Sequence, residues 1–258
     1  MLGKLLKHEW KATARRYGLF YLILASITVF TAIIHAIPVD NIFYTMGETS
    51  LIVMYIVSLC GVIFCSTGMA IVRFYKNMVS DEGYLTFTLP VKVEQLVFVK
   101  FLVAYIWQLV TVILCVLSLF SVFVIGHIEM GEFFDGVSSL ADMAGKMVPV
   151  FIVMMLISMM YQLMIYYLSI AIGQRFGNYK ILASIIAYCA LSFVIELVLM
   201  LIILGIFGAV GFMEMAESMN TVDGMAGFYL MTMGLSLVAG IAAYFVTCYQ
   251  LKKKLNLV

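Results

Sequence analysis

Six apolar runs, at residues 18–37, 51–72, 99–126, 148–172, 181–202 and 226–249, constrain this chain of 258 residues more than any other feature. Each reaches the roughly 20 residues that a helix needs to cross a hydrocarbon core of about 30 Å. A backbone in lipid must satisfy its own hydrogen bonds, so such runs are read as helices. The charge count agrees. Only 11% of the residues are charged and 65% are hydrophobic, whereas soluble domains are charged at roughly a quarter of positions. Too few charges remain to cover a water-soluble surface, which excludes a soluble enzyme. The longest stretch between runs is about 26 residues, too short for a fused ATPase, kinase or periplasmic binding module. The expected fold is an all-α integral membrane protein, with residues 1–258 forming one transmembrane domain of six spans.

Orientation follows from where the basic residues fall. Lys4, Lys7, Lys11, Arg15 and Arg16 precede the first run, and Arg73, Lys76, Lys92 and Lys100 lie between the second and third. Arg175 and Lys180 separate the fourth and fifth, and Lys252, Lys253 and Lys254 follow the last. Fourteen of the fifteen Lys and Arg residues thus share one side, while the opposite loops carry the acids Asp40, Glu48, Glu129, Glu132, Asp135, Asp142, Glu214, Glu217 and Asp223 with Lys146 alone for balance. Lys and Arg are retained on the cytoplasmic side, so both termini are placed there in a multi-pass plasma-membrane protein. Within residues 1–17, Lys4, Lys7, Lys11 and Arg15 recur at helical steps opposite Leu2, Leu5, Leu6, Trp10 and Thr13. That pattern predicts an amphipathic elbow helix lying on the inner leaflet and marks the first run as a retained anchor rather than a cleaved signal.

The cytoplasmic loop at 73–98 predicts a short amphipathic helix with Phe74, Met78 and Leu85 on one side and Lys76 elsewhere, ended by Gly83. Pro90 suits the first turn of the following helix. The stretch Asp81, Glu82, Gly83, Tyr84, Leu85, Thr86, Phe87, Thr88, Leu89, Pro90, Val91, followed by Gln95, Leu96 and Lys100, resembles permease subunits of the ABC-2 type of ABC exporters. The likeness is greatest to the bacterial six-span permeases made as chains separate from their ATPase. That resemblance implies a coupling helix seated on an ATPase subunit, with Phe74, Lys76, Met78, Asp81, Glu82, Gly83, Tyr84, Leu85 and Pro90 at the contact and Arg175 in a smaller one. It also implies a second permease subunit, identical or related, with the cargo pathway between the two.

No G-x-x-x-x-G-K-[ST] loop occurs, so ATP and Mg are expected on the separate ATPase chain and no cofactor on this one. His8, His35 and His127 show no metalloprotease spacing, and no G-x-S-x-G elbow supports a serine hydrolase. The five cysteines fall inside apolar runs as small hydrophobes. No metal site, catalytic residue or nucleic-acid partner is expected.

Run four sets Met159, Tyr161 and Gln162 among further methionines and tyrosines, a composition able to reshape around varied amphipathic cargo or simply to fill space. Glu196 is the single carboxylate deep inside a run; it reads either as a gate or cargo-path residue or as a hydrogen-bonding pin. From Lys180 to Glu214 the chain is too long for one span, and Gly205, Gly208 and Gly211 offer breaks. The expectation is therefore a span to 202 and a re-entrant extracellular segment over 203–225. The function expected is an ATP-driven exporter of a lipid, peptide or drug. An ion-coupled secondary transporter and a non-transporting scaffold or sensor partner are the alternatives.

Overall fold

The computed structural model describes residues 2–35, 37, 42–80, 83, 91–125, 138, 145, 147–210 and 221–253. Six long helices dominate these residues: α1 (Leu2–His35), α2 (Ile42–Met78), α3 (Val93–Ile125), α4 (Met147–Gly173), α5 (Lys180–Val210) and α6 (Val222–Lys253). A 3-10 turn at Gly177–Tyr179 joins α4 to α5. All six helices are long and apolar enough to cross a membrane.

Three boundaries differ from the sequence expectation. The amphipathic stretch at 1–17 is not a separate elbow, because α1 runs unbroken through Gly18. Its basic residues Lys4, Lys7, Lys11 and Arg15 are exposed, while Thr13 is buried. Phe74, Lys76 and Met78 do not begin a new helix either; they form the last turns of α2. Finally, α5 continues through Gly205 and Gly208 to Val210, eight residues beyond the expected end at 202. A helical glycine costs about 1 kcal/mol, less than the unsatisfied backbone groups a break would expose in lipid. Gly211 and residues 211–220 of the expected re-entrant segment lie outside the described residues.

The chain gathers into two compact units, Met1–Val72 with Leu102–Ser139, and Arg73–Phe101 with Leu140–Val258. In the first unit Trp107 is sandwiched between Trp10 and Tyr17, each 4.6 Å away between centroids and tilted by 20° and 5°. Its Nε1 donates to Thr13 Oγ1 at 2.9 Å. Thr111 Oγ1 lies 2.9 Å from Tyr21 Oη and 3.1 Å from Ser66 Oγ, and Tyr17 Oη donates to the Ser66 carbonyl. Farther along α1, Ser118 Oγ sits 2.6 Å from Thr28 Oγ1 and 2.7 Å from Tyr55 Oη. Leu24, Tyr55, Leu59, Val62 and Cys115 form the apolar core. Hydroxyl bonds of this kind hold helices together where lipid is as apolar as the side chains themselves, at about 0.6 kcal/mol each.

The second unit packs by shape. Met164, Ile165, Leu168 and Ala243 form its core, with Phe101, Tyr161, Tyr188 and Tyr244 against it. Gly240 lets α6 approach α4, since a Cβ there would lie 3.5 Å from Tyr161 Cα. At the α4–α5 corner the approach is closer. A Cβ on Gly173 would fall 2.1 Å from Ser184 Oγ and 2.6 Å from the Ser184 backbone nitrogen, so only glycine permits this turn.

Candidate functional site

Two groups of residues carry the functional expectation. In the coupling group, Phe74 is buried and stacks on Tyr167 at 3.8 Å between centroids. Met78 has no exposed surface at all. Neither side chain is available to touch another protein, so the contact role expected for them becomes an anchoring one. The physical reason is that their apolar face is consumed by the chain's own helices. Lys76 is exposed and Gly83 is buried, with its N–H donating to the Ser80 carbonyl at 2.7 Å. Arg175 is exposed and donates to Gln250 Oε1. Asp81, Glu82, Tyr84, Leu85 and Pro90 lie outside the described residues. On the same unit Tyr244 Oη donates to the Glu94 carbonyl at 3.0 Å, and Lys252 Nζ lies 3.6 Å from Glu94 Oε1. These contacts tie the start of α3 to the end of α6.

The second group lies within α4 and α5. Gln162 Nε2 donates to Tyr188 Oη at 2.6 Å, and Gln162 also bonds the Tyr166 hydroxyl one turn on. The Tyr166 and Tyr188 rings stack at 4.9 Å. Glu196 interacts electrostatically with Tyr161, and Met159 is half-buried nearby in sequence. Tyr188, Ser192 and Glu196 recur at steps of four, placing them on one face of α5. Gln162 and the three tyrosines therefore form a polar, aromatic strip between two apolar helices, with Glu196 at one end of it. Tyr188 was not among the expected site residues. The available signal was its place two steps of four before Glu196, which keeps Tyr188, Ser192 and Glu196 within about 80° on one side of the helix.

Glu196 itself is exposed on the chain taken alone. It sits sixteen residues after Lys180, about 24 Å along a helix that crosses a core of about 30 Å. In the most apolar 18-residue stretch of α5 no residue is buried, against 39% in the corresponding stretch of α3. Tyr188, Leu191 and Ile195 pack against the core of this unit, while Ile186, Phe193, Glu196 and Met200 are exposed, so one side of the helix faces outward from the unit that holds it.

Comparison with protein-family models, with curated proteins and with solved structures finds no match to this chain.

Proposed function

We propose that the protein is the membrane-spanning permease subunit of an ATP-driven exporter, energised by a separate ATPase and moving a hydrophobic or amphipathic cargo outward. The observation that carries the reading is Glu196, a carboxylate at membrane depth that is exposed on the chain taken alone, beside the α4–α5 polar strip. Intramembrane carboxylates are costly toward lipid and mark pathways or protein contacts. A second permease subunit, or a water-filled path shared with one, supplies the cover that Glu196 requires. The Gln162–Tyr166–Tyr188 strip gives that path donors and aromatic faces, and the neighbouring methionines give it plasticity. The one-sided distribution of basic residues supports an ATPase contact on the side of Lys76 and Arg175. ATP and Mg belong to that partner, as does the hydrolysis step.

An ion-coupled secondary transporter is the second reading, because an intramembrane carboxylate is also what proton coupling uses. The two separate cleanly in proteoliposomes. Export that requires the ATPase chain and ATP, and that Glu196→Gln impairs with assembly intact, is expected. Uptake or efflux driven by a proton gradient without ATP, abolished by the same variant, would replace the ABC reading with the second. If Glu196→Gln is normal and only Glu196→Leu fails, Glu196 is a hydrogen-bonding pin rather than a gate.

A further inference from the structure

The turn between α4 and α5 is flanked by two neighbouring cavities that the transport reading leaves unused. One, of about 410 Å³, is lined by Tyr75, Tyr179, Lys180, Ile181 and Ile185. The other, of about 610 Å³, shares Tyr179 and Leu182 with the first and is walled by Ile172, Ala183, Ala187 and Ala190. Both lie in the range of about 300–1,000 Å³ typical of small-molecule sites.

Their chemistry is graded along the helix. Lys180 and two tyrosines stand at the α5 start, and everything beyond is apolar. Ala190 lies ten residues past Lys180, about 15 Å along the axis, which is half of a hydrocarbon core of about 30 Å. The groove is thus one leaflet long, with a cation and aromatic rings at headgroup level. Tyr179 is 72% exposed and Phe176 59%, positions suited to the membrane interface.

We propose that this end of α5 binds an anionic phospholipid, its phosphate against Lys180 between Tyr75 and Tyr179 and one acyl chain in the groove floored by Ala183, Ala187 and Ala190. A helix from another subunit fits less well. The small-residue floor of that face ends where Val194 and Leu197 follow Ala190, both exposed, so a helix continuing across the membrane would ride over bulky side chains. The inference rests on the six-span reading and on Lys180 lying at an interface. It is independent of whether the protein exports anything.

The test is native mass spectrometry of the full-length purified protein with dioleoyl phosphatidylglycerol, dioleoyl phosphatidylcholine and glycerol phosphate. Phosphatidylglycerol is expected to be retained most strongly and glycerol phosphate, which lacks the tails, not at all. Lys180→Gln should lower phosphatidylglycerol affinity about fivefold, the worth of one basic residue facing an anionic lipid, and leave phosphatidylcholine unchanged. Ala187→Trp should fill the groove and lower retention of both lipids. Tyr179→Ser, at an exposed position, should lower phosphatidylglycerol retention even where Ala187→Trp fails to fold. Equal retention of the two lipids overturns the proposal, as does unchanged retention in both Lys180→Gln and Tyr179→Ser. Loss of a dimer mass in Ala187→Trp with lipid retention intact overturns it in favour of a helix seam.

Discussion

The unit built on α1 and the one built on α4 solve the same problem, adhesion between helices in lipid, by different means. In the first, Ser66, Thr111, Thr28 and Ser118 bond tyrosine hydroxyls or one another across helices, and Trp107 is clamped between two rings. In the second, Phe74 stacks on Tyr167, and glycines at 173 and 240 admit close backbone approach. Its polar contacts fall in two places, the Gln162–Tyr188 strip beside Glu196 and the helix ends at Glu94, Arg175 and Lys252. A helix set fixed by many short hydroxyl bonds has one preferred arrangement. A set in which no residue of the most apolar stretch of α5 is fully buried leaves one side of that helix open.

The sharpest way to break this contrast is Gly173→Val. Its Cβ would overlap the Ser184 backbone, and relief requires moving α4 against α5, at more than the 1–3 kcal/mol or so of ordinary overpacking. Loss of monodisperse protein on gel filtration is expected. Gly61→Ala in the first unit, where a Cβ meets nothing within 4 Å, should leave melting unchanged or raise it. Equal damage from both would remove the distinction between a shape-packed corner and an open helix face.

Next in size is Trp107→Leu, which removes two stacking partners and leaves Thr13 without its indole donor. A loss of about 3 kcal/mol is expected from the scale of aromatic truncations in cores, read as a lower melting temperature in detergent. A shift of a degree or less would mean that the ring sandwich is incidental to the first unit. The smallest effect is Ser118→Ala, which takes one oxygen from both Thr28 and Tyr55. About 1 kcal/mol is expected, two intramembrane hydroxyl bonds, with the corresponding fall in melting temperature. A null result there would confine the adhesive network to the Trp107 end of the unit.

The sequence made the six helices legible because hydropathy reports directly on residence in lipid, and 18–37 through 226–249 each fall within or nearly within a helix of the structure. Hydropathy says nothing about where a helix continues into water. That is why α1 extends back to Leu2 and α2 forward to Met78 beyond their apolar runs. Amphipathic spacing found the Phe74 and Met78 face but could not say what would cover it; Tyr167, more than eighty residues away, does. Glu196 was visible as an isolated carboxylate, whereas its relation to Tyr161 and the Gln162–Tyr188 bond depend on how α4 and α5 face each other, which no local pattern encodes. Gly205 and Gly208 were read as breaks because glycine ends helices in water, a rule that weakens where an open backbone has no water to bond.

The proposal that a separate ATPase energises this chain is tested most directly by co-purification. The full-length protein, recovered from its native membranes in mild detergent, should bring down a chain bearing a nucleotide-binding loop and show ATP hydrolysis. Reversing charge at Asp81 and Glu82 together should release that chain while the permease stays folded. Recovery of a pure, ATPase-free protein that still moves cargo down an ion gradient would contradict the account.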